Sequence, residues 1–368
     1  MSTIAARPAE PRAALRARLV ARRRALVLIA VVLDVPLAAR VVRGLTGEPA
    51  AEEVEVGGVP VEIVRPAGRG PWPAYLFVNG AHPERRREPV VTRLSRGLAR
   101  AGFIALVPDL PGLGEGEITC GTLDATVAVA DAAARMPDVR GGRVALVGAS
   151  TGASLAILAA GRPELAPRIS VVAAVTPFAD LEKIVCLATT CSYEEEGDAV
   201  AYPVTPLLRR AVARSLVASL PAGDDRESLL ARLRGLDEDA DPLERLEEEV
   251  GGLGLEAEAV VRLLTNRDPA RFRELFAALP AEVLSVVSVL SPATAAAGLL
   301  APVEVIVPPS DVYFPRGEAS RLAEALPSVR LTVTSTLDHT RPALSLSQLE
   351  DFRSFGGFVV RGLAAAAS

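Results

Sequence analysis

Short apolar runs alternate with helical stretches from about residue 53 onwards. Several runs are rich in β-branched or aromatic residues and end at Gly, Pro or Asn, which is typical of strands. Strands are predicted at 53–56, 61–64, 74–79, 103–108, 143–148, 169–175, 303–307 and 330–335. Helices are predicted at 88–101, 123–135, 151–160, 317–326 and 346–363. Because strands joined by crossover helices pair in parallel, the pattern predicts an α/β protein whose parallel sheet is covered by helices on both faces.

The alternation breaks between residues 181 and 300. This segment has few strand-like runs, and Leu, Ala, Arg and Glu recur there at helical spacing between repeated prolines. We therefore predict a helical insertion at 181–300 within a core formed by residues 50–180 and 301–365.

The N-terminal segment 1–45 combines basic and apolar stretches. Six arginines and no acid lie in 12–24, and the run at 25–33 is apolar without a break. With the apolar residues after Asp34, the stretch is roughly 22 Å long as a helix, short of the roughly 30 Å core of a bilayer. We predict a membrane anchor through 25–42, and because more arginines precede it than follow it, the main domain is expected outside the cytoplasm. The alternative is a helix that packs on the domain or lies in the membrane interface. In that case the protein could also be located in the cytoplasm.

Composition and charge exclude several functional classes. The 40 basic and 45 acidic residues give a formal net charge of −5, so the chain lacks the basic excess with which proteins bind nucleic acid. The cysteines Cys120, Cys186 and Cys191 form no C-x-x-C pair, which argues against structural zinc and a disulfide framework. Whether Cys186 and Cys191 form a bridge stays open. His82 and His339 are the only histidines, so general-base chemistry by histidine depends on one of them.

A Gly-Ala-Ser-Thr-Gly motif at 148–152 lies between a predicted strand and a predicted helix. This Gly-x-Ser-x-Gly pattern forms a nucleophile elbow, a sharp turn in which Gly148 and Gly152 leave room for the strained backbone of Ser150. The turn lifts the serine hydroxyl above the sheet at a helix N-terminus, where free amides can stabilise a developing oxyanion. The motif therefore predicts Ser150 as a nucleophile.

A nucleophilic serine needs a base that a third group orients. His339 follows the last predicted strand, and loops at the carboxyl ends of parallel strands share the edge at which Ser150 is expected. Asp311 follows the penultimate strand and gives the chain order Ser, Asp, His. Asp180 is the competing acid, whereas Asp338 is too close to His339 in sequence to orient its ring easily.

The turn at 79–83 follows another strand and is expected at the same edge of the sheet. Gly80 permits a tight backbone there, so the amides of Ala81 and Thr151 are predicted to converge on one oxygen as an oxyanion hole. His82 lies in this turn, either as a residue that lines the pocket or as a polar turn residue.

The motifs together resemble the α/β-hydrolase superfamily of serine hydrolases. The resemblance covers about residues 53–363 and rests on Val-Asn-Gly-Ala, Asp-Leu-Pro-Gly, Gly-Ala-Ser-Thr-Gly, Pro-Ser-Asp-Val-Tyr-Phe-Pro and Leu-Asp-His, in the family order. It implies the α/β-hydrolase fold, with a mostly parallel eight-stranded sheet flanked by helices and a cap domain at 181–300. It also implies a catalytic triad of Ser150, His339 and Asp311.

The implied activity is hydrolysis of a carboxylic ester or related acyl bond through an acyl-enzyme, on a small acyl substrate and with no metal or organic cofactor. Asn79 departs from the family, because many members carry a histidine before the oxyanion glycine. Acyl transfer and peptide cleavage use the same triad and stay open. The hypothesis from a different class is a catalytically silent binding or scaffold protein, against which the complete triad argues.

Overall fold

A computed structural model of the chain describes residues 11–34, 36–195, 197–237, 240–243, 246, 252–342 and 349–368. The strands are β1 (Ala50–Val56), β2 (Val59–Arg65), β3 (Trp72–Val78), β4 (Ile104–Pro108), β5 (Val139–Ala149), β6 (Ile169–Val175), β7 (Ser192–Glu195), β8 (Asp198–Ala201), β9 (Val303–Val307), β10 (Val329–Val333), β11 (Leu337–Asp338) and β12 (Arg341–Pro342). The helices are α1 (Pro11–Val32), α2 (Pro36–Thr46), α3 (Pro89–Arg100), α4 (Cys120–Ala134), α5 (Thr151–Ala160), α6 (Leu181–Thr190), α7 (Pro206–Ala218), α8 (Asp224–Arg234), α9 (Leu255–Thr265), α10 (Pro269–Ala277), α11 (Ala281–Val289), α12 (Arg316–Ala325) and α13 (Leu349–Ala366).

Eight strands form the main sheet in the order β1-β2-β4-β3-β5-β6-β9-β10. The β1–β2 and β2–β4 pairs are antiparallel, and the strands from β4 to β10 pair in parallel. The predicted mostly parallel, eight-stranded sheet is therefore confirmed.

Strand β5 begins four residues earlier than predicted, because Gly141 and Gly142 (φ 68° and 63°) form an irregularity inside the strand rather than a turn before it. The first residues of the helix predicted at 346–363 lie outside the described part.

The two faces of the central strands pack against different helices. Side chains alternate along a strand, so Leu76 of β3 packs in a cluster with α4, α5 and α12, whereas Tyr75 packs in a cluster with α1, α3 and α13. The helices on both faces agree with the sequence pattern. Ser150 directly follows β5, at the carboxyl edge of the sheet and between the two helical layers.

Helix α1 packs against α3 and α13, with Ala21, Ala25, Leu28 and Ile29 buried. A Cβ at Gly97 of α3 would lie 2.8 Å from Leu28 Cδ1, so this glycine allows the two helices to approach closely. In the structure α1 therefore packs on the domain, as the alternative interpretation of the N-terminal segment describes. No helix in the described residues combines the length and the hydropathy needed to cross a bilayer. The association with a membrane stays a prediction.

The insertion at 181–300 contains α6 to α11, whose apolar side chains form a second hydrophobic cluster together with Phe178 and Phe314 of the core. It also contains the antiparallel β7–β8 hairpin, whose strands of only four residues each are too short to show a strand pattern in the sequence. The three cysteines are free thiols, and Cys191 Sγ accepts a hydrogen bond from Arg209 Nη2 at 2.7 Å.

Candidate active site

Ser150 lies in a strained turn between β5 and α5, with φ 54° and ψ −128°. A Cβ on Gly148 would lie 2.4 Å from the carbonyl oxygen of Gly152, and a Cβ on Gly152 would lie 2.1 Å from that of Asn79. Neither position can hold a larger residue without a backbone shift. The amide of Ser150 donates to the carbonyl of Val175 at 2.8 Å, which ties the turn to the neighbouring strand. The local geometry is that of a nucleophile elbow.

Asp311 and His339 are hydrogen-bonded to each other in the loops after β9 and β10. Asp311 Oδ2 accepts from His339 Nδ1 at 2.7 Å, and the two side chains are 4% and 13% exposed. The other carboxylate oxygen, Oδ1, accepts from the backbone amides of Tyr313 at 2.7 Å and Phe314 at 3.3 Å. The ring centroids of Tyr313 and Phe314 lie 4.4 Å and 5.9 Å from that of the imidazole. The backbone thus fixes one oxygen of the carboxylate, and the other oxygen orients the imidazole.

The two competing acids have other environments. Asp180 is the N-cap of α6, where its Oδ1 accepts from the amide of Glu182 at 3.0 Å. Asp338 is exposed, in a two-residue strand paired with β12. Within the described residues, Asp311 is the acid that contacts His339.

The oxyanion loop, defined here as residues 79–82, lies beside the elbow. Asn79 is buried, its Oδ1 accepts from the amide of Gly80 at 2.9 Å, and its Nδ2 donates to the carbonyl of Arg85 at 2.7 Å. Where the family often has a histidine, this asparagine therefore fixes the loop through two short bonds. The amide of Thr151 has no intrahelical acceptor because it opens α5, and the amide of Ala81 donates to no other described residue.

A cavity of about 440 Å³ opens at Ser150. It is lined by His339 and by the predicted oxyanion residues Ala81 and Thr151. Apolar side chains from α1, α3 and α13 on one face of the sheet, and from α7 of the insertion, complete the lining. His82 also lines it, and His82 Nδ1 accepts a hydrogen bond from the amide of Glu84 at 3.3 Å. No group of three or more His, Cys, Asp or Glu side chains in the described ranges is arranged to hold a metal ion.

Tyr202, beside the β7–β8 hairpin, connects the insertion to the candidate triad and was not predicted. Its hydroxyl donates to the backbone carbonyl of Asp311, 109 residues away in the sequence. Burial, followed by the charge of Asp311, raises the pKa of Tyr202, so the hydroxyl remains a donor. A single tyrosine in an irregular stretch carries no sequence signal for such a contact.

Glu318 of α12 is also outside the motifs, and it holds the junction where the chain leaves β6 for the insertion. Its side chain is fully buried. Oε2 accepts from the amides of Ala179 at 2.8 Å and Asp180 at 3.0 Å, and Oε1 accepts from the Tyr193 hydroxyl at 3.0 Å. Burial raises the pKa of Glu318, and these hydrogen bonds oppose the shift. In the sequence it is an ordinary helical glutamate.

A family model described as X-Pro dipeptidyl-peptidase (S15 family) matches residues 58–203. The matched segment contains the oxyanion loop, the elbow and the beginning of the insertion, and it ends before Asp311 and His339. No curated protein matches the chain significantly.

Many solved structures match the chain. The 2,6-dihydroxy-pseudo-oxynicotine hydrolase matches with a TM-score of 0.51 and 17% identity, over 86% of this chain and 68% of that one. Dipeptidyl peptidase 4 of Porphyromonas gingivalis matches with a TM-score of 0.49 and 14% identity, over 89% of this chain and 37% of that one. Proline iminopeptidase of Mycobacterium smegmatis matches with a TM-score of 0.45 and 16% identity, over 86% and 99% of the two chains. The first likeness and the strand order together show that the chain has the α/β-hydrolase fold.

Proposed function

We propose that the protein is a serine hydrolase that cleaves a carboxylic ester, or a related acyl bond, with Ser150 as its nucleophile. The observation that carries the proposal is the 2.7 Å hydrogen bond between His339 and Asp311, at a cavity that Ser150 also lines. The strained turn at Ser150 supports it, because this turn exposes the hydroxyl at the start of α5.

In the proposed mechanism, the His339 imidazole accepts the Ser150 proton while Oγ attacks the carbonyl carbon of the ester. The carboxylate of Asp311 stabilises the resulting imidazolium, and the amides of Ala81 and Thr151 donate to the oxyanion. The imidazolium then gives its proton to the departing alcohol, which leaves an acyl-enzyme. Water activated by His339 attacks this acyl-enzyme and releases the acid.

Peptide cleavage is the second candidate, because the match over 58–203 is to a family of X-Pro dipeptidyl-peptidases. An enzyme that removes dipeptides must bind a free ammonium group, for which a carboxylate is the strong partner. The described lining offers the carboxylates of Glu88 and Asp338, and Glu88 already caps α3 by accepting from the amide of Val91 at 2.9 Å. The rest of the lining is largely apolar, so an ester is the better supported substrate.

Labelling with a fluorophosphonate, followed by intact-mass analysis, tests the nucleophile. We expect one adduct on the wild type and none on Ser150→Ala, whereas Ser219→Ala, at the end of α7, keeps the adduct. Turnover of p-nitrophenyl acetate should fall at least 100-fold in Ser150→Ala. Cleavage of Gly-Pro-p-nitroanilide faster than any ester would favour the peptidase. A folded wild type with neither adduct nor turnover would favour the silent binding protein.

We also propose that the N-terminal segment contacts a membrane surface through α2. The exposed side chains of Leu37, Val41 and Leu45 recur every four residues on this helix. Arg40 and Arg43 lie on the same helix and are also exposed. A helix with exposed apolar residues and arginines suits the interface of an anionic membrane, where it lies in the surface without spanning it.

A further inference from the structure

The cavity at Ser150 continues below the carboxyl edge of the sheet, on the face that carries α1 and α13. Its inner wall consists of side chains on one face of the central strands, among them Tyr75 and Phe77 of β3 and Val147 of β5. Its outer wall consists of residues at the C-terminal end of α1 and along α13, among them Leu28, Val32, Phe358 and Gly362. The predicted nucleophile therefore lies at the mouth of an apolar channel under the N-terminal helix.

Small residues leave the space for this channel. Ala173 of β6 and Gly362 of α13 both line it, and neither fills the gap between the sheet and the helices. A Cβ at Gly362 would lie 3.5 Å from the Tyr75 hydroxyl oxygen, so a larger side chain there would extend into the channel. Leu98 and Leu363, both buried, also line it and belong to the same hydrophobic cluster as Tyr75.

Tyr75 marks the lower end of the channel. Its side chain is nearly fully buried, its ring contacts Phe103 edge-on at 5.4 Å, and its hydroxyl donates to no described residue. Burial raises the pKa of Tyr75, so the hydroxyl stays protonated. An apolar group pressed against this hydroxyl would remove it from water without giving it a partner, which is unfavourable. An apolar ligand therefore ends before it reaches Tyr75.

The strand register gives the length of the channel. Tyr75 pairs with Ala145, which lies five residues before Ser150. Five residues of strand correspond to about 16 Å. After allowance for the serine side chain and for contact with the hydroxyl, roughly 10 Å remain, which fits a saturated chain of roughly eight to ten carbons at about 1.3 Å per bond.

We propose that this channel holds the acyl chain of the substrate, so that the enzyme acts on esters of medium-chain fatty acids. The inference rests on the proposed function. The acyl group, rather than the alcohol, suits a buried channel, because it stays bound to Ser150 while the alcohol must leave before water enters. The proposed acyl-binding wall includes four residues of the N-terminal segment: Leu28, Ile29, Val32 and Leu33.

A series of p-nitrophenyl esters from acetate to palmitate tests the inference. We expect wild-type kcat/KM to be highest for the octanoate or decanoate ester. Gly362→Leu should lower the ratio of decanoate to acetate kcat/KM at least tenfold, because the leucine fills the channel. Gly356→Leu is the matched control: it lies on the same helix, a side chain there meets open space, and the ratio should stay within twofold of wild type.

Tyr75→Phe provides a second variant of nearly unchanged shape. It removes the hydroxyl, so the optimum should move to longer chains and the ratio of dodecanoate to octanoate kcat/KM should rise at least threefold. A wild-type preference that falls steadily from acetate, or equal effects of Gly362→Leu and Gly356→Leu, would overturn the inference while leaving the serine hydrolase intact. Loss of both ester turnover and fluorophosphonate labelling in the wild type would instead mean that the proposed function itself is wrong. If Gly362→Leu does not fold, an unchanged profile in Tyr75→Phe decides against the inference.

Discussion

Replacement of Glu318 by alanine should strongly destabilise the protein. The carboxylate accepts hydrogen bonds from two backbone amides and from the Tyr193 hydroxyl, all at 2.8–3.0 Å in a fully buried site. Truncation leaves three buried donors without an acceptor, at about 1–3 kcal/mol each. Because water enters some of the space and the chain relaxes, we expect a total loss of about 3–5 kcal/mol in the free energy of unfolding.

Glu318→Gln and Glu324→Ala are the two controls. Glutamine keeps a carbonyl oxygen for the amides of Ala179 and Asp180, and its NH₂ can donate to the oxygen of Tyr193, so the loss should be less than about 2 kcal/mol. Glu324 lies on the same helix with an exposed side chain, and its replacement should change stability by less than about 0.5 kcal/mol. Urea unfolding followed by circular dichroism measures all three variants. A loss below about 1 kcal/mol in Glu318→Ala would refute the reasoning.

The same residue predicts a pH dependence. Burial raises the pKa of Glu318 above its unfolded value of about 4.3, so between these two values the folded chain binds a proton that the unfolded chain has released. The contribution of this group to stability is therefore present below the unfolded pKa and is lost as the pH rises through the folded pKa. Relative to Glu318→Gln, which does not titrate, the wild type should become less stable as the pH rises from about 4 towards neutral. Urea unfolding at several pH values measures this difference, and a constant difference would contradict it.

Three further predictions concern the site and the N-terminal segment. Asp311→Asn should lower kcat for p-nitrophenyl acetate about 10²- to 10⁴-fold, because it disturbs the orientation of the His339 imidazole. Asp180→Asn keeps the N-cap of α6, so its kcat should stay within about threefold of wild type. Equal effects of the two variants would mean that Asp311 is not the orienting acid. Gly152→Ala should abolish labelling by the fluorophosphonate or prevent folding, because the new Cβ would lie 2.1 Å from a backbone oxygen; normal labelling would mean that the elbow has another geometry. Val41→Glu should reduce sedimentation with vesicles rich in phosphatidylglycerol, whereas Val200→Glu, at an exposed valine in the β7–β8 hairpin, should not; equal binding would exclude contact through α2.

The features that the sequence predicted correctly are those with local signals. The run Ile169–Val175 could be identified as a strand because it is largely apolar and rich in β-branched residues, and its ends agree with the structure. The pattern at 148–152 indicated a tight turn, because two glycines around a serine serve that backbone. The structure forms this turn.

The contacts that the sequence did not reveal join residues that are distant in the chain. The bond from Tyr202 to Asp311 depends on how the insertion lies over the sheet, and nothing near either residue encodes it. The apolar run at 25–33 illustrates a different limit. An apolar segment has the same composition whether lipid or protein covers it, so only the packing of α1 on α3 and α13 reveals its contact with the domain.

The close approach of Gly152 to Asn79 connects two segments that lie about 70 residues apart in the chain. Since there is no room for a Cβ between them, neither the elbow nor the oxyanion loop can change its backbone course alone. During evolution, residues in the walls of the channel can therefore change one at a time, whereas the two turns must change together. In a set of related sequences, residues 79–82 and 148–152 should accordingly change as a block. A loop graft between relatives should likewise succeed only when both segments are exchanged.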